Sequence, residues 1–338
     1  MKFTTQQENL IKALQNLVRN TDTKYPMFAN IEIKCINDTL QLTASNGAVT
    51  LTQNINADVE EDTPIAIPAQ KFYDIISKLN GLISFDNGLI KNGKHKLNIP
   101  ITNTLELPVM DFNCEMVQID TNELKQALKG RIYACDKLGQ GVLSGICLNK
   151  KDVVSTNGNL MAIATLNNEL PFEQVIISEK LANEIIKTFD CEQIEIGFDK
   201  NKIILKSEDI TIISNLLFGN YPKYQQIIPT PRYQVELNRQ EILKTLEITK
   251  LIIKENQGCF FSFDNDVLTI STDNGSTQID IKYNDAPMKI FLNVNYISDC
   301  LKNMASDVIN FGFTAPLSAC LINAGQEVSL IMPMQVKG

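Results

Sequence analysis

The 338-residue chain has one histidine, His95. It sits in the basic, glycine-containing turn Lys91-Asn-Gly-Lys-His-Lys96, where an exposed hairpin residue is expected rather than a catalytic one. A single histidine argues against histidine-rich metal sites and leaves histidine-dependent triads without support. The phosphate-cradling patterns Gly-x-x-x-x-Gly-Lys-Ser/Thr and Gly-x-Gly-x-x-Gly are absent. Eight cysteines (35, 114, 135, 147, 191, 259, 300, 320) are scattered without a Cys-x-x-Cys pair. That spacing argues against zinc and against a disulfide framework, and it fits a reducing cytoplasm. No run of eighteen apolar residues exists, so no transmembrane helix and no membrane partner are expected. The opening Met1-Lys-Phe-Thr-Thr-Gln6 reads as a strand and lacks the apolar core of a signal peptide. Positive charge is scarce: 31 Lys and Arg against 39 Asp and Glu give a net charge of −8. This opposes a whole-surface grip on nucleic acid but leaves room for a local basic lining. Asp120 and Glu123 surround a helix start, where acids complement the dipole. Asp264 and Asp266 flank Asn265 in a strand turn, a weak Ca²⁺ or Mg²⁺ signal. No catalytic constellation, metal site or cofactor is expected, and a binding or scaffold protein is.

What the chain does have is repetition. Ile65-Ala-Ile67 runs into Pro68 and then a helix with Phe72, Ile75, Ile76 and Leu79 on one apolar face. Val175-Ile-Ile177 leads through the N-cap Ser178 to Ala182, Ile185, Ile186 and Phe189. Ile290-Phe-Leu292 leads through the N-cap Asn293 to Ile297, Cys300, Leu301 and Met304. Each of these helices carries one acid at a matching place: Asp74, Glu184 and Asp299. An earlier strand-and-helix unit recurs with Leu10/Leu124/Ile242, Ala13/Ala127/Thr245 and Leu14/Leu128/Leu246 aligned. Asn46-Gly47, Asn157-Gly158 and Asn274-Gly275 separate alternating apolar runs, a hairpin signal in which both turn residues need positive φ.

The period, about 110–118 residues, is far beyond that of solenoids and close to a domain. Three similar domains are therefore expected at 1–116, 117–232 and 233–338, with connections near 103–116 and 219–229. Each reads as antiparallel β with two helices on one face, an α+β pattern. Lysines recur on the helices: Lys12 and Lys244 share one repeat position, Lys187 and Lys302 another. With Arg19, Lys125, Arg131, Lys250 and Lys254 they suggest a common basic surface, moderated by Glu8, Glu184, Glu241 and Glu247.

Over its whole length the chain resembles the bacterial DNA polymerase III beta subunits, the sliding clamps. Met1-Lys-Phe-Thr4 is similar to that family's start. Pro68-Ala-Gln-Lys-Phe-Tyr-Asp74 resembles its first-domain Pro-Ala-Arg-Lys-Phe segment. Ser155-Thr-Asn-Gly158 resembles its Ala-Thr-Asp-Gly turn, and Gly219-Asn-Tyr-Pro-Lys-Tyr224 its Gly-Arg-Phe-Pro-Asp-Tyr. Asn293-Val-Asn-Tyr296 and Met332-Pro-Met334 match third-domain motifs. Two departures stand out. Asn159-Leu160 replace the His-Arg that usually follows the turn, and Gln335-Val336 replace Arg-Leu at the end, so the rim of the family's peptide pocket loses positive charge.

The resemblance implies the DNA clamp fold: a head-to-tail homodimeric ring of six similar domains around encircled duplex DNA, bound without sequence preference. It implies no catalysis. The implied partners are a replicative polymerase subunit, a clamp loader and other proteins carrying short clamp-binding peptides. The implied peptide groove, between the second and third domains, comprises Leu143, Thr156, Gly158, Met161, Pro222, Ile227, Asn293, Tyr296, Leu317, Met332, Pro333 and Met334. The DNA lining would use Lys12, Arg19, Lys125, Arg131, Lys187, Lys244, Lys250 and Lys302, and the dimer contact Leu97 and Ile99 against Leu251 and Ile252. The alternative is a diverged clamp paralogue, a repeat-built peptide-binding scaffold that does not encircle DNA. A carboxylate-only enzyme is a third option.

Overall fold

A computed structural model describes residues 1–36, 39–102, 114–139, 141–199, 201–253 and 258–335. Most of the expected connection at 103–116, Lys254 and Val336 lie outside the described residues. Six α-helices occur among those described, two per sequence copy: α1 (Gln7–Arg19) and α2 (Ala69–Ile76), α3 (Thr121–Lys129) and α4 (Glu179–Thr188), α5 (Arg239–Lys250) and α6 (Val294–Lys302). The aligned apolar positions form the buried faces: Leu10, Leu124 and Ile242 are at most 1% exposed, as are Leu14, Leu128 and Leu246. The caps form as their chemistry dictates. Ser178 Oγ accepts from the N–H of Leu181, and Asn293 Oδ1 accepts from those of Asn295 and Tyr296.

The chain folds as two compact units, 1–121 with 184–216, and 122–183 with 217–338. In the first, an eight-stranded antiparallel sheet runs in the order 117–120, 193–199, 202–206, 210–215, 49–55, 39–45, 30–36, 65–68. A five-stranded sheet runs 58–61, 2–6, 82–86, 89–92, 95–98. In the second unit the eight-stranded order is 175–178, 145–149, 152–156, 160–165, 327–331, 320–324, 308–313, 233–238, and a four-stranded sheet runs 275–280, 267–272, 258–264, 288–293. Each long sheet joins two sequence copies by one pairing: Val49–Ile55 with Ile210–Asn215, and Leu160–Thr165 with Glu327–Ile331. Strand pairing between segments this far apart leaves no trace in local periodicity.

Hairpins form at all three places, but not with the expected backbone, and the third turns on Asp273-Asn274, with Gly275 already paired to Thr272. Gly47 and Gly158 have φ of +87°, whereas Asn46 and Asn157 are not in the left-handed region. Each asparagine instead closes its turn through its side chain: Asn157 Oδ1 accepts from the N–H groups of Asn159 and Leu160, and Asn46 Oδ1 from those of Ala48 and Val49. An Asx turn needs positive φ only at the glycine.

Candidate functional site

In the second unit, the strand Leu160–Thr165 alternates. Leu160 and Ala162 face the core that carries α5 and α6, while Met161 and Ile163 face the other side. There they join Cys147, Val154, Ile176, Leu321 and Leu330 in an apolar floor, which Tyr221 and Tyr224 cover from the segment after Leu217. Tyr224 is pinned by its hydroxyl, which donates to Asp152 at 2.7 Å and accepts from Asn149 at 2.9 Å. Tyr221 OH donates to the Val154 carbonyl at 3.4 Å. Burial raises both phenol pKa values above the usual value.

The turn and the C-terminal tail meet at the end of this floor. The Met332 N–H donates to the Asn159 carbonyl at 2.9 Å, so the tail continues past the last strand beside the turn. Two residues on, the Met334 N–H donates to Phe291 O at 2.8 Å, holding the tail against the strand that ends at Asn293. Leu143 packs partly buried at the margin of the floor. Ile227, in the short 3₁₀ turn Tyr224–Ile227, is 57% exposed, and Met332 is 40% exposed. Leu317 and Phe218 are exposed as well. Uncovered apolar side chains beside a packed apolar floor are the pattern of a protein-binding surface.

The other expected groove residues serve as framework. Met161 is 1% exposed and belongs to the floor. Thr156 is buried, its hydroxyl donating to Leu160 O and accepting from the Gly158 N–H. Gly158 supplies the left-handed turn residue, Asn293 caps α6, and Tyr296 packs half-buried on the third-copy core. Pro222 precedes the tyrosine anchor, its carbonyl accepting from the Tyr224 N–H. Pro333 lies half-buried between the two tethered methionines. Sequence reasoning missed the Asn149–Tyr224–Asp152 set, in which Tyr224 lies 75 and 72 residues from its partners, and Phe218, whose exposure no spacing announces.

The basic residues divide. Lys12 and Lys187, in the first unit, are exposed. Arg19 is engaged with Glu184 at 3.4 Å and with Asn16 and Thr188. In the second unit Lys244 and Lys302 are exposed and Lys125 and Lys250 half-buried. Partial burial lowers the Lys250 pKa, and the neighbouring charge of Lys302 lowers it further. Arg131 is a correction. It is 2% exposed, and its guanidinium bonds Glu327 at 2.7 Å, so it cannot face DNA. Ile99 is a second correction: it is 4% exposed within its own chain and offers no surface to a partner. Leu97 is 38% exposed on the edge strand His95–Asn98, Leu251 is 85% exposed at the end of α5, and Ile252 is half-buried.

Residues 1–111, 118–223 and 225–335 match the models of the DNA polymerase III beta subunit N-terminal, central and C-terminal domains, respectively. The beta sliding clamp of Haemophilus influenzae is 24% identical over 368 residues, covering 99% of this chain and 100% of the relative. That of Chlamydia muridarum is 25% identical over 353 residues, covering 97% and 96%. Among solved structures, the DNA polymerase III subunit beta of Pseudomonas aeruginosa superposes with a TM-score of 0.93 at 23% identity, covering 99% of this chain and 100% of the other. The sliding clamp of Bacillus subtilis gives 0.91 at 21%, with both chains fully covered. The three consecutive domain matches, on a fold these structures share, make the chain a member of the DNA polymerase III beta subunit family, the sliding clamps.

Proposed function

We propose that two copies of this chain close head to tail into a ring around duplex DNA. The ring is opened by a clamp loader, and it tethers the replicative polymerase and other peptide-bearing partners through the surface around Met332. No bond is broken in this role. Its setting is the cytoplasm, where the DNA is. Retention is topological, so a net charge of −8 is no obstacle, and weak phosphate attraction from Lys12, Lys125, Lys187, Lys244, Lys250 and Lys302 suffices for sliding.

The observation that carries the ring is a pair of sheet edges. Consecutive copies are joined by strand pairing at Thr52↔Thr211 and at Ile163↔Val328. Counting along the ladders, the third-copy counterpart of Thr52 and Ile163 is Ser276, on the edge strand Gly275–Asp280. The first-copy counterpart of Thr211 and Val328 is Lys96, on the edge strand His95–Asn98. The same pairing between two chains would lay Leu97 over Gly275. A Cβ on that glycine would come within 3.2 Å of Ile252 Cδ1, so Leu97 would cover Ile252. The strand His95–Asn98 carries Lys96 and follows Lys94, while the strand Gly275–Asp280 ends on Asp280 and follows Asp273, so the two edges bring opposite charges. An exposed edge has open N–H and C=O groups that favour such pairing.

The partner surface is tested by ending the chain at Ile331. The truncated protein should still dimerise yet lose affinity for a fluorescein-labelled peptide from the host's replicative polymerase subunit. Equal affinity of truncated and full-length chains would place the partner site elsewhere.

A further inference from the structure

Arg131 was the basic residue that turned out to be buried, and its surroundings give it another role. It follows α3, and its guanidinium lies between the Gly130 carbonyl, bonded by Nε at 2.6 Å, and Glu327 Oε1, bonded by Nη2 at 2.7 Å. Glu327 Oε2 in turn accepts from the Ala305 N–H at 2.9 Å. Gly130 admits this closeness, because a Cβ there would sit 3.1 Å from the Asn303 carbonyl and 3.4 Å from Glu327 Oε1. Arg131 Nη1 finds no partner among the described residues, so the charge depends heavily on Glu327.

The same short segment is tied to the sheet at two more points. The Arg131 carbonyl accepts from Ser155 Oγ at 2.5 Å, and Tyr133 OH meets Ser329 Oγ at 2.9 Å. Ser155, Ala162 and Ser329 are direct cross-strand neighbours on three adjacent strands. All three are buried, small side chains. The segment 131–133 therefore crosses this row, spanning about 10 Å at the usual strand spacing. One anchored strand passes at once into the Thr156–Gly158 turn, and the other into the Met332 tail three residues on. Beyond the segment the chain runs on to Leu143, whose carbonyl accepts from the Asp136 N–H at 2.9 Å.

We infer that Arg131 and Tyr133 form a crossbar that fixes how the Thr156–Gly158 turn, the Met332 tail and Leu143 stand relative to one another. They are thus positioning residues for the partner peptide, a role that rests on the peptide-binding reading above. Neither touches the peptide. Removing one partner of a buried hydrogen bond or ion pair leaves the other unsatisfied, and the adjacent backbone loosens.

The test uses the full chain with Glu327→Gln, which neutralises the partner of Arg131, and the milder Tyr133→Phe, which removes only a hydroxyl. One readout is affinity for the fluorescein-labelled polymerase peptide. The other is hydrogen exchange at the Met332 amide, compared with amides of the strand Gly258–Asp264 in the third-copy core. Glu327→Gln should weaken peptide binding about tenfold and speed Met332 exchange by a similar factor, with Tyr133→Phe in the same direction by about threefold. The Gly258–Asp264 amides should keep wild-type rates. Unchanged Met332 exchange overturns the inference, and so does faster exchange with unaltered peptide affinity. Equal acceleration at both places also overturns it, because that is general loss of stability. A wild-type chain that binds no peptide overturns the proposed function instead, and the crossbar then stands or falls on the exchange rates alone.

Discussion

Leu97 is the most direct handle on the proposed ring. It lies on the core side of its sheet, opposite the buried Ile90, yet is 38% exposed because its strand has no neighbour on one side among the described residues. Its counterparts at the two pairings made within the chain, Ile212 and Ser329, are at most 3% exposed. If a second copy supplies the missing strand, Leu97 should become equally buried, removing about 70 Å² from water. At about 25 cal/mol per Å² this is worth roughly 2 kcal/mol per contact, and a closed dimer has two contacts. Leu97→Ala should then raise the dimer dissociation constant by a few hundred-fold, and Leu97→Asp, which adds an unpaired carboxylate to the contact, by more. Sedimentation velocity over a dilution series reads this directly. Melting of the monomer should change little, since the residue is already at an open edge. A dissociation constant for Leu97→Ala within about threefold of wild type would mean that this edge is not the contact.

Three further outcomes follow from the site. Tyr224→Phe removes the donor to Asp152 and should cost about 1–2 kcal/mol, while Tyr224→Ala also removes the ring from the floor and should cost about 3–5 kcal/mol; calorimetry that finds the two equal would mean the ring is not packed. Tyr133, Tyr221 and Tyr224 all have phenol pKa values raised by burial, so they stay protonated in the folded chain where the unfolded chain ionises. Their contribution is therefore complete below the ordinary phenol value of about 10 and is lost as pH climbs above it, which melting curves from about pH 9 to 11.5 would register as a steepening fall that is shallower in a Tyr221→Phe/Tyr224→Phe variant, where Tyr133 alone of the three remains. Replacing Lys12, Lys187, Lys244 and Lys302 by Gln should flatten the salt dependence of DNA binding by about one unit of slope per lost phosphate contact, whereas an unaltered slope would show that these side chains point away from DNA.

Much of the fold was legible because it is locally encoded three times over. The 3.6-residue faces of α1 to α6 and the caps at Ser178 and Asn293 depend on residues within a few positions of one another, and all of these form. What could not be read depends on partners far along the chain. Arg131 follows a helix end as a solvated arginine would, and only the fold brings Glu327, 196 residues later, against it. Ile99 alternates with Leu97, but its burial follows from the Gly88 hairpin, whose carbonyl accepts the Ile99 N–H. The candidate site was legible as motifs rather than roles. Met332 and Ile227 expose apolar surface, whereas Thr156 and Met161 turn out to shape the site from beneath. The backbone of Asn46 and Asn157 was misjudged because an Asx side chain can close a turn that the Asn-Gly dipeptide usually closes with two positive φ angles.

The central claim is topological, and topology can be cut. The protein is loaded onto a nicked circular plasmid with a clamp loader, separated from free protein by gel filtration in high salt, and the plasmid is then linearised with a single-site nuclease. Encirclement predicts that the protein stays with the circle and leaves within minutes of linearisation. Retention that is the same on the circle and on the linear form would contradict it and identify a protein that binds the surface of DNA; no retention on either would leave a peptide-binding scaffold.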